Sequence, residues 1–188
     1  MAQAVDAKQQ AATVTAHQIN IQVAKQLANL VRSTLGPYGM DKEMVDAAGE
    51  VVMTNDGATI LKATKLGHPT AKIITEVART QEENCYDGTT SSVVITGELM
   101  DKASGLLDKN IHPTRIAKGY VMANRKAQEC LKEISITVND ELLLAVANTA
   151  MTGKSVESEQ DALAKIALAV VKSTTLDNIS IVKRPNGK

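Results

Sequence analysis

The chain contains no phenylalanine and no tryptophan, and only three tyrosines among its 188 residues. Proteins that hold nucleic acid pair a basic surface with aromatic rings on which bases stack. Here rings are scarce, and 21 lysines and arginines are balanced by 21 aspartates and glutamates, so no nucleic-acid partner is expected. Cys85 and Cys130 stand apart, without a C-x-x-C pair or clustered histidines. Neither a zinc site nor a disulfide framework is therefore indicated. Long apolar runs are missing too. The opening MAQAVDAKQQAATVTAHQ has no apolar segment of the signal-peptide kind, and ALAKIALAVV at 162–171 is broken by Lys165 and too short for a bilayer. No membrane partner is expected, and the reading is of a cytoplasmic protein.

Several catalytic signatures are also absent. There is no G-x-G-x-x-G, and Gly153-Lys154-Ser155 lacks the earlier glycine of a P-loop. No G-x-S-x-G elbow occurs, and His17, His68 and His112 all fall at helix starts, so nucleophilic catalysis is not expected.

What is present is 44% apolar residues supplied by Ala, Val, Ile, Leu and Met, a palette suited to closely packed helices. Residues 1–15, rich in Gln and Ala, read as a flexible arm. Ile19, Val23, Leu27, Leu30 and Val31 then recur at helical spacing and stop before Gly36-Pro37. MVDAAGEVVMTNDG reads as a β-hairpin. His68-Pro69 opens a helix with Ile73, Ile74, Val77 and Ala78 inward, and a further helix carries Val93, Val94, Gly97, Met100 and Leu107, with Gly97 permitting a close neighbour. His112-Pro113 opens another, with Ile116, Tyr120, Ala123, Ala127, Leu131 and Ile134 along one face. A composition shift near Ser135–Asp140 marks the best domain boundary. Beyond it, Asp140 is expected to cap a short helix over ELLLAVANTA, and Thr152-Gly153-Lys154-Ser155 closes it. Ser158 and Asp161 resemble a capping box for the helix at 162–172. NISIVKRPNGK reads as a final strand without an evident mate and a Pro-Asn-Gly turn. The fold class is thus mainly α with a small β-hairpin (α+β).

Three turns invite two readings each. TLGPYGMDK (34–42) is either a helix stop or a loop whose N–H groups face an anion. Thr54-Asn55-Asp56-Gly57-Ala58-Thr59 is either a plain bend, with Thr59 capping the next segment, or part of a site. In NCYDGTTSS (84–92), Asp87 is either an N-cap or a cation ligand beside a phosphate cradle at a helix N-terminus.

The ordered series TLGPYGMDK, VVMTNDGATIL, HPTAKIITEVARTQE, DGTTSSVVITGELM, NIHPTRIAKGY and TAMTGK resembles the N-terminal part of a group II chaperonin subunit, the family of archaeal thermosomes and the eukaryotic cytosolic chaperonin. The likeness runs from about Asn20 to the end. It implies a multihelical equatorial nucleotide-binding domain over 16–139 and the first part of an α/β intermediate domain over 140–188, with the apical domain and the return segments lying outside this sequence. It also implies an ATP-dependent chaperone: a Mg2+-dependent ATPase working with other subunits in a double ring on unfolded client proteins.

By the same resemblance, Asp87 binds Mg2+ and, with Asp56, forms the catalytic pair, Asp56 positioning the attacking water. Leu35, Gly36 and Pro37 line the nucleotide, and Gly88, Thr89 and Thr90 donate to its phosphates. Lys154 reports the γ-phosphate, where the plain alternative is a solvated lysine. Thr34, Asn55, Gly57, Ser91 and Gly153 complete the implied ATP contacts. Asp87 is then expected to serve as cap and ligand together.

Two departures stand out. The family usually carries glycine where this chain has Tyr86, which implies a strained backbone and slowed hydrolysis if φ is positive there. The sequence also stops before the segment that brings a third carboxylate, so it is expected to be a piece of a longer subunit. The alternative function is a non-hydrolysing nucleotide-binding or assembly module.

Overall fold

The computed structural model describes residues 2–45, 49–64, 67–154, 156–175 and 178–182, with side chains from residue 16 onward. The chain is mainly helical with one two-stranded antiparallel sheet: α1 (Ala2–Arg32), β1 (Lys42–Val45), β2 (Val51–Thr54), α2 (Gly57–Ala63), α3 (Pro69–Cys85), α4 (Thr89–Leu107), α5 (Pro113–Ile134), α6 (Asp140–Met151) and α7 (Gln160–Ser173). It divides into two compact units, Met1–Glu129 and Cys130–Lys188, with the division inside α5 rather than at the composition shift beyond it. α1 begins at Ala2, so the stretch read as an arm is helical. Ala and Gln are good helix formers, and an established helix propagates into such a segment at little cost.

The first unit is organised by α1 and α4, which pack along each other, with α2 and α3 closing the core. That core comprises Ala24, Leu27, Val31, Ile60, Leu61, Ala71, Ile74, Ala78 and Val93. The stripes expected from sequence are largely kept: Leu27, Val31, Ile74, Ala78 and Val93 lie in the core, and Val23, Leu30, Val94 and Met100 pack against it. Ile19 is 48% exposed and Ile73 63%, while Ala24, Ala28 and Ala71, outside those stripes, are buried. On α1 the small residues answer to the approach of α4: Gly97 faces Ala28 so closely that a Cβ placed on it would lie 2.2 Å from the Ala28 Cβ and 3.3 Å from the Ala24 carbonyl oxygen. Only small side chains fit such an approach.

Lys25 Nζ donates to Asp101 Oδ1 at 2.7 Å across the same seam, and Arg32 pairs with Glu98. The Lys25 bond holds the Asp101 carboxyl below its ordinary value of 3.8. Because folding lowers that pKa, the bond adds stability above pH 3.8 that is lost as the pH falls through the folded-state value. Lys25→Met is therefore expected to lower the melting temperature slightly at pH 7 and to have no effect once Asp101 is protonated, as thermal melts across that range will show.

The hairpin pairs Lys42 with Thr54 and Val45 with Val51 as read, although residues 46–48 of its turn lie outside the described residues. His68 caps α3 through its Nδ1, which accepts from Thr70 N–H at 3.2 Å, and Pro69 opens the helix. His112 Nδ1 accepts in the same way from Thr114 N–H at 3.3 Å ahead of α5. α5 departs from its expected face: Ile116 is buried and Tyr120 half-buried, but Ala123, Ala127, Leu131 and Ile134 are exposed. Tyr120 donates its hydroxyl to the Leu99 carbonyl at 2.6 Å, and burial pushes its phenol pKa up.

In the second unit, α6 is capped by Asn139 rather than Asp140, its Oδ1 accepting from Leu142 N–H at 2.9 Å. An Asn in extended backbone reaches the N3 amide, whereas Asp140 is already inside the first turn. The capping box at Ser158 and Asp161 is not formed. A 3-10 turn, Glu157–Glu159, precedes α7, and Asp161 instead accepts from Asn148 Nδ2 at 3.0 Å, tying α7 to α6. Lys172 pairs with Asp140 between the same helices. Residues 178–182 form no strand, consistent with a segment that has no ladder partner. The Pro-Asn-Gly turn lies outside the described residues.

Candidate functional site

The passage from α3 to α4 is made by two left-handed residues around Asp87. Tyr86 (φ 55, ψ 8) ends α3, its N–H donating to the Glu82 carbonyl, and Gly88 (φ 77, ψ 11) is the N-cap of α4 with no side-chain cap bond. Asp87 is therefore not the cap expected from sequence. The double reversal sets it one residue too early to reach the first turn, and its Oδ1 accepts from the Gly88 N–H at 2.7 Å. The carboxylate is exposed. Among the described residues no side chain caps the early amides of α4, those of Thr89, Thr90 and Ser91, and uncapped amides at a helix N-terminus favour an anion by geometry and dipole.

Asp56, by contrast, is a true cap. Its Oδ2 accepts from Thr59 N–H at 2.7 Å and from Thr59 Oγ1 at 2.6 Å, so Thr59 is the capped residue rather than the cap. Both bonds fall on one carboxylate oxygen. Asp56→Ala is expected to cost about 1 kcal/mol of stability and Asp56→Asn only a few tenths, which chemical denaturation measures directly. The asparagine variant thus separates the cap from any role of the charge.

The loop after α1 is closed by Gly39 N–H to the Gly36 carbonyl at 2.9 Å and Met40 N–H to the Ser33 carbonyl at 2.8 Å. Thr34 is buried with its hydroxyl on the Val31 carbonyl, while Leu35, Gly36 and Pro37 are exposed. Gly36 takes φ 86 with open space where a Cβ would stand.

The loop is linked to the Asp56 turn through the hairpin, and the Asp56 turn touches the start of α4. The loop runs into β1, where Lys42 pairs with Thr54, the residue leading into Asn55 and Asp56. Gly57, at the start of α2, is buried against the start of α4: a Cβ there would lie 2.6 Å from Thr90 Oγ1 and 3.3 Å from Thr90 Cα. The two helix N-termini thus abut, each preceded by its aspartate. Gly153 and Lys154 belong to the second unit. There Gly153 (φ 74) comes after α6, its N–H donating to Glu157 Oε2 at 3.1 Å, and Lys154 is exposed.

Among the described residues no three His, Cys, Asp or Glu side chains stand together as metal ligands. One exposed carboxylate beside uncapped amides does fit magnesium carried by a polyphosphate, since that ion takes few protein ligands and completes its shell with phosphate oxygens and water. Cys85, beside Tyr86 at the end of α3, is exposed. Sequence reasoning missed Gln81, whose Nε2 donates to the Asp87 carbonyl at 2.8 Å. No short motif marks that pairing.

The strain foreseen at Tyr86 is present in the backbone: a tyrosine at φ 55 occupies a conformation that suits glycine after a helix. Tyr86→Gly is expected to raise stability by about 1 kcal/mol, read from denaturant midpoints.

A model of the TCP-1/cpn60 chaperonin family matches residues 27–188. A thermosome subunit of Pyrococcus horikoshii is 48% identical over 185 residues, which cover 92% of this chain and 34% of that protein. The thermosome subunit beta of Thermococcus kodakarensis is 49% identical with the same coverage, and that of Methanothermobacter thermautotrophicus is 51% identical over 163 residues, covering 86% of this chain and 30% of the relative. The chain therefore belongs to the TCP-1/cpn60 chaperonin family, in its group II, thermosome-like branch. It spans about a third of the length of the curated relatives it matches. No helix among the described residues is long and apolar enough to cross a membrane.

Proposed function

We propose that this chain supplies the nucleotide-binding part of an ATP-dependent chaperone subunit. The observation that carries the reading is the contact of Gly57 with Thr90, which seats two aspartate-led helix N-termini against each other, one of them with uncapped amides. In this reading the amides of Thr89, Thr90 and Ser91, the hydroxyls of Thr89 and Thr90, and the loop at Thr34, Leu35, Gly36 and Pro37 hold ATP. Asp87 is the protein ligand of Mg2+. When bound, that ion neutralises phosphate charge. Asp56, whose second oxygen is not used by the cap, orients the attacking water, with Asn55 and Gly57 shaping its turn. Lys154, on the loop held by Gly153 and Glu157, answers to the γ-phosphate.

The first unit then corresponds to the first part of an equatorial domain and the second to the first part of an intermediate domain. Partner subunits in a double ring, unfolded clients taken up by an apical domain outside this sequence, and a cytoplasmic setting complete the proposal.

Calorimetry with ATP, run beside a phosphate-release assay on the assembled protein with Mg2+, is the test. Binding with release is the expected result. Binding without release favours a non-hydrolysing assembly module, a reading prompted by the tyrosine at φ 55 beside Asp87. Absence of binding rejects both.

A further inference from the structure

Asp87 lies between two left-handed residues, Tyr86 and Gly88, so its carbonyl points into neither helical ladder. Tyr86 N–H closes α3 on Glu82, and the first α4 bond runs from Ser92 to Gly88. Left to itself, such a peptide can rotate, and a rotation carries the Gly88 N–H away from Asp87 Oδ1, releasing the carboxylate from that hydrogen bond. Gln81, on the last turns of α3, meets this peptide from behind. Its Nε2 donates to the Asp87 carbonyl at 2.8 Å, and the same nitrogen would lie 3.2 Å from a Cβ on Gly88. The amide therefore grips one side of the turn while Gly88 N–H holds Asp87 Oδ1 on the other. Gln81 is itself half-buried, which limits the rotamers it can take.

Resting on the magnesium role proposed for Asp87, we infer that Gln81 is a positioning residue: it fixes the Asp87 peptide so that the carboxylate is preset for a phosphate-bound divalent cation. A group that orients a metal ligand acts on metal affinity more than on fold or on the metal-free ligand, and losing one typically costs ten- to a hundredfold in metal affinity. The side chain that tests this is methionine, which matches Gln in length and helix propensity but has no donor.

ADP binding is measured by calorimetry in the assembled protein, once with Mg2+ and once with chelator, for the native chain, Gln81→Met and Arg79→Met. Arg79 pairs with Glu76 and Glu83 on the exposed face of the same helix and controls for loosening of α3. The expected result is that Mg2+ strengthens ADP binding in the native chain and that Gln81→Met loses about tenfold of this strengthening. The chelated affinity and melting temperature stay unchanged, and Arg79→Met behaves as native. An undiminished Mg2+ effect in Gln81→Met overturns the inference and leaves the magnesium site standing. An equal loss with and without Mg2+ also overturns it, since that is the mark of a merely structural residue. If Mg2+ does not strengthen ADP binding even in the native chain, the magnesium role of Asp87 fails and the inference falls with it.

Discussion

Asp87→Ala is expected to lower Mg2+-dependent ATP hydrolysis by about 10³-fold, equivalent to roughly 4 kcal/mol in the barrier, while changing stability by less than about 0.5 kcal/mol. Geometry is what separates the two effects. The carboxylate is exposed and accepts only the neighbouring Gly88 N–H among the hydrogen bonds of the described residues, so the fold asks little of it. The proposed chemistry asks much of it. In the proposed site Asp87 is the one protein ligand of the phosphate-bound cation, and among the described residues no cluster of three metal-binding side chains stands by to replace it. Phosphate release against time and a denaturant titration on the same preparation give the two numbers. Undiminished hydrolysis removes Asp87 from the site, and a large loss of stability makes it a structural residue after all.

Gly97→Ala is expected to cost about 3 kcal/mol of stability. Alanine in place of a helical glycine should gain up to about 1 kcal/mol from propensity alone. Here the added methyl meets Ala28 Cβ at 2.2 Å, with the Ala24 carbonyl at 3.3 Å, and neither neighbour is a flexible chain end that can swing aside. α1 and α4 must separate, which strips contacts from the core along the seam, and overpacking of this kind outweighs the propensity gain. The reciprocal variant distinguishes the cause. Ala28→Gly together with Gly97→Ala restores the methyl-against-hydrogen contact with the partners exchanged, and the propensity changes cancel. The double variant should therefore be more stable than Gly97→Ala alone, giving a coupling of at least about 1 kcal/mol in a double-mutant cycle. Simple additivity would mean that the close approach is not what makes Gly97 necessary.

Both experiments turn on features that the sequence exposed unequally. Gly97 in a helical pattern suggests a close neighbour, yet nothing nearby says that the neighbour is Ala28. Of the stripe read on α1, Val23, Leu27, Leu30 and Val31 serve the core and Ile19 does not, while the closest approach to α4 falls on Ala24 and Ala28, which the stripe passed over. Hydrophobic periodicity weighs side chains by size. A close helix pair inverts that weighting, because the smallest residues sit where the axes come nearest. α5 misled for a related reason: Ala123, Ala127, Leu131 and Ile134 keep a helical period but have no covering element among the described residues. Among the candidate site residues, Asp56 and Asp87 were legible as turn carboxylates, but which one is a cap was not. That depends on whether the residue before the helix is extended, as at Asp56 (φ −75), or left-handed, as at Gly88 (φ 77).

By itself the sequence determined the order of the helices other than α2, the hairpin, the two His-Pro helix entries, the three turns and the chaperonin family, because periods and motifs are written in windows of a few residues. Only the tertiary structure decided that Gly57 rests on Thr90, that Gln81 holds the Asp87 peptide, and which faces are buried. Those outcomes depend on the fit between surfaces far apart along the chain, where the shape of one side chain has meaning only against the shape of another.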